Sequence, residues 1–554
     1  MALRSAISAF AASFLLLSAR TLAQDFRPQN SLGPRSVARA ADTVSGTIAS
    51  TDGRLLAHAV VTLYDLQADK IFDNVTADGQ GRFRFESVPA GRYRLTGRAK
   101  GYLQASYLDH DGFGTAIVTG AGLNTQGLQL KLSREASISG RIVDETGEPI
   151  EHATVTLYRE FPQAAEAQRI RRFRNASTNS SGEYEFIDLA PGTYFLSATA
   201  TPWYAVHPAP EPPGIPMPYR ENIDPALDVA YPLTFFPHAL SSAEASPLVL
   251  HPGEEANGDM QLAAEHALSI NLRVPQQPGR GFQIPQLTRM IFGEPEPVPA
   301  QTQFMNGVAT ITGLAHGQYV VERTGSGGLP ISSSAIDLSA DSVTLDSPPE
   351  TPTGKISITL RDTSGTLASP GGQLMLWSAE MNRALAGKID KDGTVEFLNV
   401  PAGPYRFTLY EGGRAKAITA ILENGQPLPT HRVNLNSGQE LALTILTSAA
   451  SVTVTGAVQR NGKPIPAAMV LLVPAGADTS AELFRRDQSD LDGGFTFRDV
   501  IPGKYLAVAI EDGWSLRWTE TTVLMPYLLH SVPVEVPSST SSIHLDQPVT
   551  PQPR

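Results

Sequence analysis

Gly182-Glu183-Tyr184-Glu185-Phe186-Ile187-Asp188-Leu189-Ala190-Pro191-Gly192-Thr193-Tyr194 decides the fold of this 554-residue chain. Counting from Tyr184, apolar residues stand at offsets zero, two and five, Gly at eight and Tyr at ten. The same frame returns as Phe83, Phe85, Val88, Gly91, Tyr93 and as Ala309, Ile311, Leu314, Gly317, Tyr319. It returns twice more, as Val395, Phe397, Val400, Gly403, Tyr405 and as Phe495, Phe497, Val500, Gly503, Tyr505. Alternating apolar residues predict a strand with one buried face. The Pro-Gly or Ala-Gly that follows predicts a turn, because Gly tolerates positive φ. The closing Tyr can bury its ring and hydrogen-bond its hydroxyl to loop backbone, as tyrosine corners of β-sandwiches do. Tyr93, Tyr194, Tyr319, Tyr405 and Tyr505 are therefore expected to be structural.

Those tyrosines lie roughly one hundred residues apart, the size of one sandwich and too far for solenoid repeats. Each unit can hold its own core, so the units read as a string of beads. No convincing amphipathic helical stretch interrupts them. The formal charge of −12 and pI near 5.5 leave no electrostatic footprint for nucleic acid. The one basic cluster, Arg169, Arg171, Arg172 and Arg174, reads either as a solvated strand edge or as a patch for an acidic ligand. With no cysteine there is no disulfide, lipoprotein anchor, thiolate metal site or cysteine nucleophile.

Along the chain, residues 1–23 read as a cleaved secretory signal, with Arg4 before an apolar run that Arg20 interrupts too early for a membrane span. Residues 24–42 read as a flexible leader. The expected units are 43–132, 133–263 (with a Pro- and aromatic-rich insertion at 201–238), 264–348, 353–447 and 448–546, followed by a tail at 547–554. Tyr107-Leu108 and the run Tyr231 to Pro237 each open the closing part of their unit, and their aromatics are expected to pack on the next module.

The first, second and fifth units share more than the corner. Ile138-Ser139-Gly140-Arg141-Ile142-Val143-Asp144 leads to Gly147-Glu148-Pro149-Ile150 and then Ala153-Thr154-Val155-Thr156-Leu157. Val454-Thr455-Gly456-Ala457-Val458 leads to Gly462-Lys463-Pro464-Ile465 in the same way. With the corner motif, this order resembles the carboxypeptidase regulatory-like domain. The resemblance implies an all-β chain: a tandem array of about five seven-stranded transthyretin-like (prealbumin-like) β-sandwiches, grouped with folds that host carbohydrate-binding modules. In carboxypeptidases the domain is a non-catalytic attachment, and tandem copies resemble secreted bacterial proteins.

Enzyme signals are weak. His251-Pro252-Gly253-Glu254 has the spacing of two zinc ligands, but a zinc site needs three ligands in an open, rigid geometry and Pro252-Gly253 predicts a turn instead. Asp390-Lys391-Asp392-Gly393 and Asp490-Leu491-Asp492-Gly493 have the alternate oxygens of a calcium loop without its distal Glu, and read as turns. The sequons at Asn74, Asn175 and Asn179 read as accidental. No cofactor is expected, and no enzymatic activity. Trp203, Tyr204, Tyr219, Tyr231 and Trp514 are the candidate ligand-binding residues, because exposed rings stack on sugar faces. The alternative is that they staple their loops to the sandwiches; Trp514, after Asp512-Gly513, reads as more exposed than Trp518. Two functions remain open. One is a secreted or periplasmic non-enzymatic protein binding carbohydrate or cell-envelope polymer. The other is a structural or protein-docking array at the envelope, with an envelope protein as partner.

Overall fold

The structure, a computed structural model, describes residues 42–554 apart from 165–168, 208–223, 274–284, 325–328, 347–350, 363–364, 448–451, 477–482 and scattered single positions. The segments expected to be a signal and a leader, apart from Asp42, and Tyr219 lie outside the described residues. What is described is all-β, a tandem array of sandwiches.

The first unit sets the pattern. One sheet carries Arg82–Val88, Asp42–Ser50 and Leu128–Leu132 in that order; the other carries Lys70–Thr76, Val60–Asp65, Arg92–Arg98 and Ala105–Ser106. Val44, Ile48, Phe83, Phe85, Tyr93, Leu95 and Leu130 fill the space between them. The corner motif strand runs antiparallel to the opening strand, and the closing strand runs parallel to it. That parallel closure repeats in the other units: Ala136–Val143 with Glu255–Asn257, Leu268–Arg273 with Val343–Asp346, Thr353–Asp362 with Glu440–Thr447, and Val452–Ala457 with Ser542–His544.

The offset of five has a physical cause. A strict strand would place its third apolar residue at offset four. Here one extra residue is inserted before it, so Phe186 pairs with Ile138 but Leu189 pairs with Ala136 across a register shift. The inserted residue is left-handed in every copy: Ser87, Asp188, Gly313, Asn399 and Asp499, with φ between 52° and 75°. This is a β-bulge, and short polar residues or Gly are the types that tolerate its left-handed position. The Gly at offset eight has another use in the first copy. A Cβ on Gly91 would lie 3.2 Å from the ring of Tyr93, so the bare backbone gives the ring room.

Each ring then ends on the same acceptor. The hydroxyls of Tyr93, Tyr194, Tyr319, Tyr405 and Tyr505 donate to the carbonyls of Pro89, Ala190, Ala315, Pro401 and Ile501, at 2.7–3.1 Å. Burial pushes the Tyr93 and Tyr405 hydroxyls up to about 12. The Gly of the opening strand is explained by the parallel closure. A Cβ on Gly46 would collide with the Leu128 carbonyl, and one on Gly140 would stand 2.6 Å from the Gly258 backbone.

One element departs from the all-strand expectation. Thr521–Leu528 of the fifth unit is an α-helix, short and with Pro526 inside it, which hid it from periodicity. The units also do not form an open string. The first and second join through Leu103 N to Ser133 O and Glu135 N to Gly101 O. Phe292 of the third stands 5.1 Å from Tyr158 and Phe195 and 5.7 Å from Phe235 of the second. Arg383 of the fourth pairs with Glu322 of the third at 2.6 Å. The fifth returns to contact the first, and that seam is described below.

Tyr194→Phe removes the bond to Ala190 O and should cost the second sandwich about 1–3 kcal/mol; Tyr194→Ala should cost about 3–5 kcal/mol through the cavity left. Hydrogen exchange on the full-length protein under mild denaturant should show the loss in residues 136–262 and leave 353–447 unchanged. Gly46→Ala should destabilise the first sandwich more than an ordinary surface change of about 0.5 kcal/mol, since it meets backbone rather than a movable side chain.

Candidate functional site

The acidic turn that precedes the corner motif behaves in two ways. In the fourth unit Asp390 Oδ1 accepts from Asp392 N at 3.0 Å and Thr394 N at 2.7 Å, closing its own turn. The Thr394 hydroxyl and those backbone bonds lower its carboxyl from the ordinary value. Asp78 and Asn179 cap the first two units alike. In the fifth unit the backbone turn is the same, but the Asp490 side chain is turned outward. Its Oδ1 accepts from Ala116 N of the first unit at 2.9 Å, and Oδ2 pairs with the Arg92 guanidinium. Asp492 takes the other side of that guanidinium at 2.6 Å. Burial pushes Asp490 up to about 6, against the pull of Arg92. The spacing that resembled a calcium loop holds an arginine.

Around this pair runs a seam between modules nearly 400 residues apart in sequence. Gln488 Nε2 donates to Leu108 O at 2.7 Å and to Thr115 Oγ1 at 2.8 Å, while its Oε1 meets His110 Nδ1 at 3.0 Å. Leu491 N donates to Ala116 O at 3.1 Å, and the Leu491 side chain packs against the first core. Arg486, its side chain 7 % exposed, lies 4.9–5.2 Å from the ring centres of Phe113, Trp514 and Trp518 and reaches Asp111 at 3.3 Å. The connector that opens at Tyr107-Leu108 therefore packs on the fifth module as well as beside its own core.

The predicted ligand aromatics do not converge on one place. Trp514 corrects an expectation: it is 8 % exposed rather than the freer tryptophan, and Trp518 is half-buried. Its indole stacks on His110 at 5.2 Å and 5°, and Nε1 donates to Ala467 O at 3.4 Å. Asp512 takes a left-handed φ that turns the chain back onto the sheet, and the seam covers the ring. Tyr231 is half-buried against the second core, and burial raises its hydroxyl above the ordinary value. Tyr204 is half-buried beside it, edge-on to Trp203 at 5.6 Å. Trp203 is 92 % exposed.

The other chemical candidates resolve into local structure. Glu254 accepts from His251 N at 2.8 Å, closing the Pro-Gly turn. Arg169 pairs with Glu160, and Arg174 donates to Ile187 O, along the edge strand Ile170–Ser177. Among the described residues no group of three His, Cys, Asp or Glu is placed to hold a metal ion, and no helix is long and apolar enough to cross a membrane. Sequence reasoning missed Arg92 and Gln488, whose only signal was a charged or polar residue on an ordinary strand.

Residues 43–129 and 137–207 match the carboxypeptidase regulatory-like domain family. No curated protein matches the chain. Among solved structures, the Bacillus anthracis TIE protein is 12 % identical over 74 % of this chain and 75 % of its own, with a TM-score of 0.17. A streptococcal ancillary pilin is 14 % identical over 52 % of this chain and 100 % of its own, at 0.18. A minor pilin of Streptococcus agalactiae is 11 % identical over 43 % and 100 %, at 0.20.

Asp487, beside the seam, accepts from Thr496 N at 2.6 Å, and burial pushes its carboxyl up to about 7. A carboxyl raised on folding stabilises the folded state most below its unfolded pKa, and that stability is lost as pH rises through the folded value. The fifth module should therefore lose stability between about pH 4 and pH 7. Each tenfold change in proton affinity is worth about 1.4 kcal/mol, so the loss amounts to a few kcal/mol. Thermal melts across that range should show the slope in the native protein and a flatter one in Asp487→Asn.

Proposed function

We propose that this protein is a non-enzymatic, extracytoplasmic array of β-sandwiches that docks a protein partner at the cell envelope. The observation that carries the reading is the seam between the first and fifth modules. There the connector, the acidic turn and Trp514, one of the aromatics that sequence analysis offered to small ligands, are occupied by contact between modules. The regulatory-like match of the first two modules agrees with a non-catalytic role.

A surface for a further partner is available on the first module. Lys70–Thr76 is the outermost strand of its sheet, and no strand among the described residues pairs on its far side. Ile71 on that strand is 54 % exposed. Unpaired edges accept an added strand, with backbone bonds for affinity and side-chain pockets for selection. A second reading, weak carbohydrate binding, is favoured by Trp203 alone, which offers a nearly free indole face beside Tyr204.

Capture from an envelope extract with the mature protein separates the two. The docking reading expects a stoichiometric protein that is lost with Ile71→Lys, since a charge on an edge strand discourages pairing. That variant should leave stability within about 0.5 kcal/mol of the native protein. Retention on polysaccharide columns that Trp203→Ala abolishes, with no protein captured, would replace docking by the carbohydrate reading.

A further inference from the structure

The seam between the first and fifth modules is heterologous. One patch comprises Arg92, Leu108, His110, Phe113 and Ala116; the other comprises Arg486, Gln488, Asp490, Asp492 and Trp514. Every copy of the chain carries one of each. The fifth module reaches the first through a set of hydrogen bonds and ion pairs. Its covalent connection to the fourth runs through residues 448–451. Nothing in the seam's chemistry requires both patches to belong to one chain.

We propose that these two patches form an interaction surface for a second copy of this chain, in which the fifth module of one copy docks on the first module of another. Charge complementarity favours that occupant. Arg92 meets two carboxylates, and Arg486 meets Asp111, so each patch finds its opposite charges on the other, and every second copy carries that other patch. A heterologous pair either closes on itself or continues from copy to copy. Within one chain the tether supplies a high effective concentration, so the closed monomer dominates when dilute and exchange grows with protein concentration. Two chains that trade fifth modules satisfy both seams and make a reciprocal dimer. The inference shares the seam with the proposed function but is tested separately, because docking of an envelope partner uses the Lys70–Thr76 edge.

The test mixes tagged and untagged full-length protein, holds the mixture concentrated, dilutes it, and captures on the tag. The expected result is untagged chain retained in proportion to the holding concentration, with light scattering giving twice the monomer mass. Arg92→Glu in both copies places a third carboxylate beside Asp490 and Asp492 and should reduce retention at least tenfold. Gln488→Arg, at the neighbouring contact, gives an independent second reading if Arg92→Glu fails to fold. Absence of untagged chain at every holding concentration overturns the proposal. So does retention that both variants leave unchanged, since the copies would then meet elsewhere.

Discussion

A phenolic hydroxyl donating to a carbonyl four residues behind it organises each sandwich. The bond fixes the loop between the motif strand and its successor, which lie in opposite sheets. That loop therefore sets how the two sheets face each other. The ring fills the core end of the loop, as Tyr194 does at no measurable exposure, and the hydroxyl satisfies a carbonyl that the turn would otherwise bury unpaired. The bulge at Ser87, Asp188, Gly313, Asn399 and Asp499 belongs to the same device, because it bends the strand into the corner. A corner built this way tolerates heavy change elsewhere. The third unit has Ala309 where the others carry Phe, Tyr or Val, and still closes through Tyr319 and Ala315.

The sandwiches were legible because their determinants are local. Offsets among Phe83, Phe85, Val88, Gly91 and Tyr93 are set by strand pleat, bulge and turn within eleven residues, so spacing alone reveals them. The helix Thr521–Leu528 was not legible, since eight residues with a proline inside give no periodic signal. The candidate site was harder for a different reason. Arg92 and Asp490 are ordinary residues in ordinary strands and turns, and what distinguishes them is each other. Trp514 misled because its neighbours Asp512 and Gly513 describe a turn correctly but say nothing about what the turn lies against.

Asp390 and Asp490 make the point at atomic level. They occupy the same place in the same turn, yet local bonds lower one carboxyl while burial in the seam raises the other. Repeated sequence specifies the shared scaffold, and single side chains released from scaffold duty specify how the copies meet. The acidic pair of the fifth turn is such a release, with Asp492 taking over the bond to Gly494 N.

The chain has no cysteine, yet its first and last modules are joined across a loop of nearly 400 residues. A disulfide is one way to close such a loop, restricting the open state more as the loop lengthens. Here ion pairs, a stacked indole and backbone bonds perform the same closure reversibly. A single backbone cut between the third and fourth modules would therefore leave two fragments still held together. The array has the redundancy of a ring, in which continuity survives the loss of any one link.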